Sequence, residues 1–100
     1  MPDAFIFLPD HSDQGLRLAK QYVWWMLPDE AAEKPKKIIL QLLKMGTLED
    51  YRTGLEIWGR EAFVAALETM NPGDVDENSW NYWRLHYGLP PKPFPKREIP

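Results

Sequence analysis

The chain has no cysteine and only two histidines, His11 and His86. Without thiols there is neither a disulfide framework nor a thiolate metal site. A histidine-based metal site needs its ligands grouped at helical or turn spacing. His11 stands beside Asp10 and Asp13 and reads as a solvated cap residue; His86 reads as a satisfied histidine at the margin of the core. The sequence also lacks a long apolar run, since its longest is far below the ~20 residues of a membrane span. Residues 1–15 hold three Asp and no Lys or Arg around the short run FIFL, which does not read as a signal peptide. The expectation is a soluble, cytoplasmic protein with no membrane partner.

Catalytic signatures are missing as well. No glycine-rich phosphate loop occurs, and no nucleophile stands in a recognisable setting. Ser12 and Ser79 fall where helices start, and serine belongs there. Asp74, Asp76 and Glu77 lack the further oxygen ligands and spacing of a calcium loop, so they read as turn and cap residues. The residues call for no cofactor and no metal, and the chain is not expected to be an enzyme.

Bulky apolar side chains, in contrast, are plentiful: five Trp, four Tyr and four Phe in 100 residues, with 44% of the chain hydrophobic. That suffices for the core of one domain. The stretch YVWWMLP at 22–28 concentrates them. A helix buried on one side needs apolar residues along one stripe only. Six in a row leave some with nothing inside the domain to cover.

Periodicity predicts an all-α fold, a compact bundle of four to five short helices at 16–88. An extended N-terminal arm (1–15) precedes it and a Pro-rich tail (89–100) follows. Ser12 or Asp13 can cap the first helix, whose apolar positions Leu16, Ala19, Val23 and Met26 run towards Pro28 as its terminator. Asp29 can cap a short turn through Ala32. Pro35 opens a helix whose Ile38, Ile39, Leu42 and Leu43 share one face. Gly46 reads as a left-handed helix stop, and Thr47 with Asp50 as a capping-box-like start. Gly59 interrupts the next helix before Arg60 to Met70. Asp76 caps a last helix carrying Trp80, Trp83 and Tyr87, closed by Gly88. Five prolines in the final twelve residues favour polyproline II or disorder. Ala4 to Leu8 has no second strand to pair with, so it reads as an arm lying on the body.

The formal net charge of −3 is unevenly spread. Residues 31–46 carry four Lys against one Glu, a net of +3; residues 47–77 carry eight acids against two Arg, a net of −6. Lys34, Lys36, Lys37 and Lys44 form the only basic patch. A helix-turn-helix needs a recognition helix with base-reading polar and basic side chains. Arg60 to Met70 offers Glu61, Glu68 and a single Arg, so duplex recognition is disfavoured. The patch reads first as a solvated helix face, and second as a nucleic-acid-binding surface of a regulator.

Several of these features resemble one family. They are Trp24–Trp25 before Leu27–Pro28, Pro35 opening a helix, the Gly46-Thr47-x-Glu49-Asp50 joint, and Ser79-Trp80-x-Tyr82-Trp83. Together they span residues 24–89, about two thirds of the chain. The family consists of small bacterial proteins whose genes often sit directly beside AbiEii-type nucleotidyltransferase toxin genes. The resemblance implies a non-catalytic interaction protein, the antitoxin-like partner that binds and restrains such a toxin. The candidate partner-binding residues are then Tyr22, Trp24, Trp25, Glu49, Asp50, Trp80 and Trp83, because Trp and Tyr dominate interface hot spots. The expected mechanism pairs exposed aromatics with an acidic surface that blocks a basic nucleotide-binding cleft.

Overall fold

The computed structural model describes residues 7–90 and 92–94. The first six residues of the expected arm, and residues 91 and 95–100 of the expected tail, lie outside the described residues. The fold is all-α, with six helices and no strand among the described residues.

Helix α1 is Asp13–Tyr22. Ser12 caps it in an extended conformation, its Oγ accepting the Gly15 amide N–H at 3.2 Å. Leu18, Ala19 and Tyr22 face the core. The helix starts inside the segment expected to be arm and stops well before Pro28. Val23 leaves the helical region (φ −122°, ψ 55°) but stays fully buried. The Gln41 amide donates to the Tyr22 carbonyl at 3.0 Å, satisfying an oxygen that the helix end orphans. Pro28 is therefore not a terminator. It is the first residue of α2, Pro28–Ala32, where its missing N–H costs nothing. Leu27, extended at φ −64° and ψ 142°, takes the cap position expected for Asp29.

Helix α3, Pro35–Met45, is the hub and packs against every other helix. Ile38, Ile39, Leu42 and Leu43 are all at most 3% exposed. Burying each such side chain contributes roughly 1.5–3 kcal/mol. Gly46 ends α3 in an extended conformation (φ −72°, ψ 153°), not the left-handed one expected. Two consecutive extended residues, Gly46 and Thr47, make the corner into α4, Leu48–Trp58. Thr47 Oγ1 accepts the Asp50 N–H at 3.1 Å, but the return half of the capping box is absent. The Thr47 N–H instead faces the Tyr22 hydroxyl at 3.5 Å.

Gly59, at φ 85°, is the sole link between α4 and α5, Arg60–Glu68. A side chain there would have room but not the backbone conformation. Helix α6, Glu77–His86, begins at Asp76, whose carboxylate accepts the Ser79 N–H at 3.1 Å. It closes in a Schellman motif around left-handed Gly88, with Leu89 N–H on the Arg84 carbonyl (2.9 Å) and Gly88 N–H on that of Leu85 (3.1 Å). Six helices replace the expected four or five because residues 28–32 form a helical turn of their own.

The expected arm does lie on the body where it is described. Phe7 packs against the core, and the Leu8 carbonyl accepts the Trp58 indole N–H at 2.9 Å. His11 ties the same segment to α2 and does not cap α1. Its Nε2 lies 2.5 Å from Glu33, and Nδ1 lies 3.8 Å from Asp29.

Candidate functional site

Three of the seven aromatic and acidic residues expected at an interface are consumed by the fold. Trp80 is 1% exposed, beneath the Arg84 guanidinium at 5.0 Å from its ring centroid. Tyr22 and Asp50 are buried together, joining α1 to α4 through a 2.5 Å hydrogen bond from the hydroxyl to the carboxylate. Arg17 completes the cluster at 3.1 Å from Asp50. Burial pushes the Asp50 carboxyl up, but hydrogen bonds from Tyr22 and Arg17 outweigh it and hold the group below the usual aspartate value. Burial, followed by the bond to Asp50, pushes the Tyr22 hydroxyl above its ordinary value. These residues serve as internal cross-links of the fold.

Trp83 is half-buried and also committed. Its indole donates to the Leu43 carbonyl at 2.7 Å, and its ring sits 4.8 Å from that of Tyr51. Tyr51 and Tyr87 share a 2.5 Å hydroxyl contact, and burial drives the Tyr87 hydroxyl strongly upward. One hydroxyl donates to the other. Glu49 is exposed in the first turn of α4, where a carboxylate suits the positive helix end.

Trp24 and Trp25 are different, being 75% and 52% exposed. They are the two central residues of a turn closed by the Met26 N–H on the Val23 carbonyl at 3.1 Å. Val23 is sealed in the core and Met26 packs on its edge, so the corners are anchored while the tips point outward. Turn tips normally hold Gly, Asn, Asp, Ser or Pro, for reasons of backbone conformation and side-chain hydrogen bonding. Two indoles there serve neither purpose. They meet edge to face, with centroids 5.7 Å apart and planes at 89°.

The indoles form one wall of an open cleft of about 720 Å³. Lys34, Lys36, Lys37 and Lys44 line the cleft as well, all carried by α3 or its N-terminal approach. The turn at 71–74, held by Asn71 N–H on the Asp74 carboxylate at 2.8 Å, closes the far side and brings one acid. Lys36 donates to the Thr69 carbonyl at 2.6 Å, capping the end of α5. Lys34, Lys37 and Lys44 make no ion pair among the described residues. The field of Lys44 does reach Asp76, adding to the hydrogen bonds from Ser79 that hold that carboxyl low.

The cleft corrects the expected electrostatics: the exposed tryptophans sit among lysines, not among acids. The sequence separates the two sets by up to twenty positions, and only the packing of α3 against α1 and α2 closes the gap. Proximity of Pro28 and Pro35 was the one available hint, since two helix starts so close together fold the chain back on itself.

The histidines form no reactive pair. A hydrogen bond to Glu33 favours the charged form of His11 and raises it above 6.5. His86 is exposed against the rings of Tyr82, Trp83 and Tyr87. Among the described residues no group of three or more His, Asp or Glu is placed to hold a metal ion. No described helix is long and apolar enough to cross a membrane. Set against protein-family models, curated proteins and solved structures, the chain matches none.

Proposed function

We propose that this chain is a non-catalytic binding protein whose recognition surface is the cleft between the tryptophan turn and the lysines of α3. Its partner is, as the sequence resemblance implies, a nucleotidyltransferase that it restrains by forming a complex, in the manner of an antitoxin. The observation that carries the reading is the pair of indoles held uncovered on a turn whose corners are anchored in the core. An uncovered Trp forgoes part of the roughly 1.5–3 kcal/mol that burying a large side chain contributes. Such rings are the usual anchors of interfaces. The lysines alter the expected mode of docking. The partner's surface has to be acidic, which suits the carboxylates with which phosphate-handling enzymes hold Mg²⁺ better than it suits a basic cleft.

Co-expression with an AbiEii-type nucleotidyltransferase, followed by affinity capture, tests the reading. Capture of the enzyme by the wild type and its loss with Trp24→Ala/Trp25→Ala is the expected result. Absence of any complex in the wild type would remove the toxin-partner reading. A second reading, that of a nucleic-acid-binding regulator, is favoured by one observation: the lysines expected to serve it line the same cleft as the indoles.

A further inference from the structure

We infer that the occupant of the cleft is single-stranded nucleic acid, its bases stacked on Trp24 and Trp25 and its phosphates met by Lys34, Lys37 and Lys44. This rests on the cleft being the recognition surface, and it takes up the second of the two readings above, nucleic acid, in place of the protein partner.

Three features of the site point the same way. First, its cations are all lysines, with no Arg among them. Protein interfaces are enriched in Arg and depleted in Lys, whose hydrated point charge is costly to bury. A phosphate backbone is contacted while both groups stay wet, and lysine serves there well. Second, an edge-to-face pair leaves ring faces open, since only one face of one indole meets the other's edge. Open indole faces beside ammonium groups are the arrangement that holds single strands: a basic groove follows the backbone while any base stacks on a ring. In a duplex the base faces are already covered by their neighbours, so the open indole faces would have no base to stack on.

Third, α3 accumulates positive charge where it is least welcome. It has no acid in its first turn, which instead holds Lys36 and Lys37, with Lys34 at the cap position before Pro35. Every other described helix has an acid there. Ammonium groups at the positive end of a helix repel it, and a bound anion reverses the sign of that interaction. Asp74 is the opposing carboxylate in the cleft, but its contact with the Asn71 N–H turns it towards its own turn.

Fluorescence anisotropy with labelled dT12, rU12 and a 12-base-pair duplex tests the inference, the two single strands separating DNA from RNA. Wild type and variants are first compared by circular dichroism; because Trp24 and the three lysines are exposed, the variants are expected to keep the fold. The wild type is expected to bind a single strand in preference to duplex. Trp24→Ala should weaken it at least about fivefold, the lower end of what one stacked base contributes. With three phosphates contacted, log K should fall with log salt at a slope of about −2, and Lys34→Gln/Lys37→Gln/Lys44→Gln should flatten it. Lys20→Gln, a charge change outside the cleft, should do neither. Equal binding of duplex and single strand, indifferent to Trp24→Ala, would overturn the inference. So would failure to bind any of the three oligonucleotides while a nucleotidyltransferase is captured through Trp24 and Trp25, an outcome that keeps the cleft as the recognition surface but gives it a protein occupant. If no oligonucleotide binds and the enzyme is captured regardless of Trp24→Ala/Trp25→Ala, the cleft itself is wrong and both readings fall.

Discussion

Asp50 shows how one side chain changes role with its surroundings. In sequence it is a cap residue near a helix start; in the fold it is 7% exposed and accepts from Tyr22, Gln21 and Arg17. A buried carboxylate with charged hydrogen-bond partners stabilises only while ionised. Its folded pKa is held below the ordinary 3.8, so its contribution is fully present above that value and is lost as the pH falls through the folded one. Asp50→Asn cannot ionise. It is expected to lower stability at pH 7 by roughly 1.5–3 kcal/mol, the worth of hydrogen bonds to a charged group. Urea denaturation at a series of pH values checks this: the gap to wild type should narrow below pH 3.8 and stay constant above it. The sequence could not show this role, because Tyr22 and Arg17 are about thirty positions away. It did show the local chemistry of Ser12, Thr47 and Asp76 as helix caps, since capping needs only a side-chain oxygen and an amide three residues on.

The elements were legible where their signals are local and misplaced where a distant contact decides. Pro35, Gly59 and Gly88 mark boundaries that backbone stereochemistry alone imposes. The end of α1 was missed because the Gln41 amide, not the proline, satisfies the Tyr22 carbonyl. Gly46 was misread because the corner to α4 is built from extended residues, leaving no need for positive φ. Gly54 makes the contest between local and distant effects quantitative. As a glycine inside α4 it costs about 1 kcal/mol of helix propensity relative to alanine. A Cβ there, however, would lie 2.8 Å from Leu42 Cδ1 and 2.9 Å from Phe63 Cζ. Both neighbours are at most 1% exposed and have nowhere to swing. Overpacking a core costs typically 1–3 kcal/mol, so Gly54→Ala is expected to be net destabilising, with a lowered thermal midpoint. A raised midpoint would mean that α4 and α5 are more loosely apposed than the geometry has them.

At the scale of the molecule, the all-α class and the presence of surplus aromatic surface were both readable from composition and periodicity. The identity of the surplus was not. Five tryptophans look alike in sequence, yet Trp80 is sealed, Trp58 and Trp83 are tied to backbone carbonyls, and Trp24 and Trp25 are left outside. The basic patch was visible too, but as a separate feature; folding merges it with the indoles into one cleft. That merger is what the proposed recognition surface depends on, and residues 47–77, with eight acids against two Arg, carry most of the opposing charge.

The most direct test of the cleft as the proposed recognition surface is an NMR titration of the indole N–H resonances with dT12, and separately with an AbiEii-type nucleotidyltransferase as second titrant. Shift or broadening of Trp24 and Trp25 with either titrant, while the Trp80 signal stays in place, is the expected result. Binding that leaves Trp24 and Trp25 unmoved would contradict it.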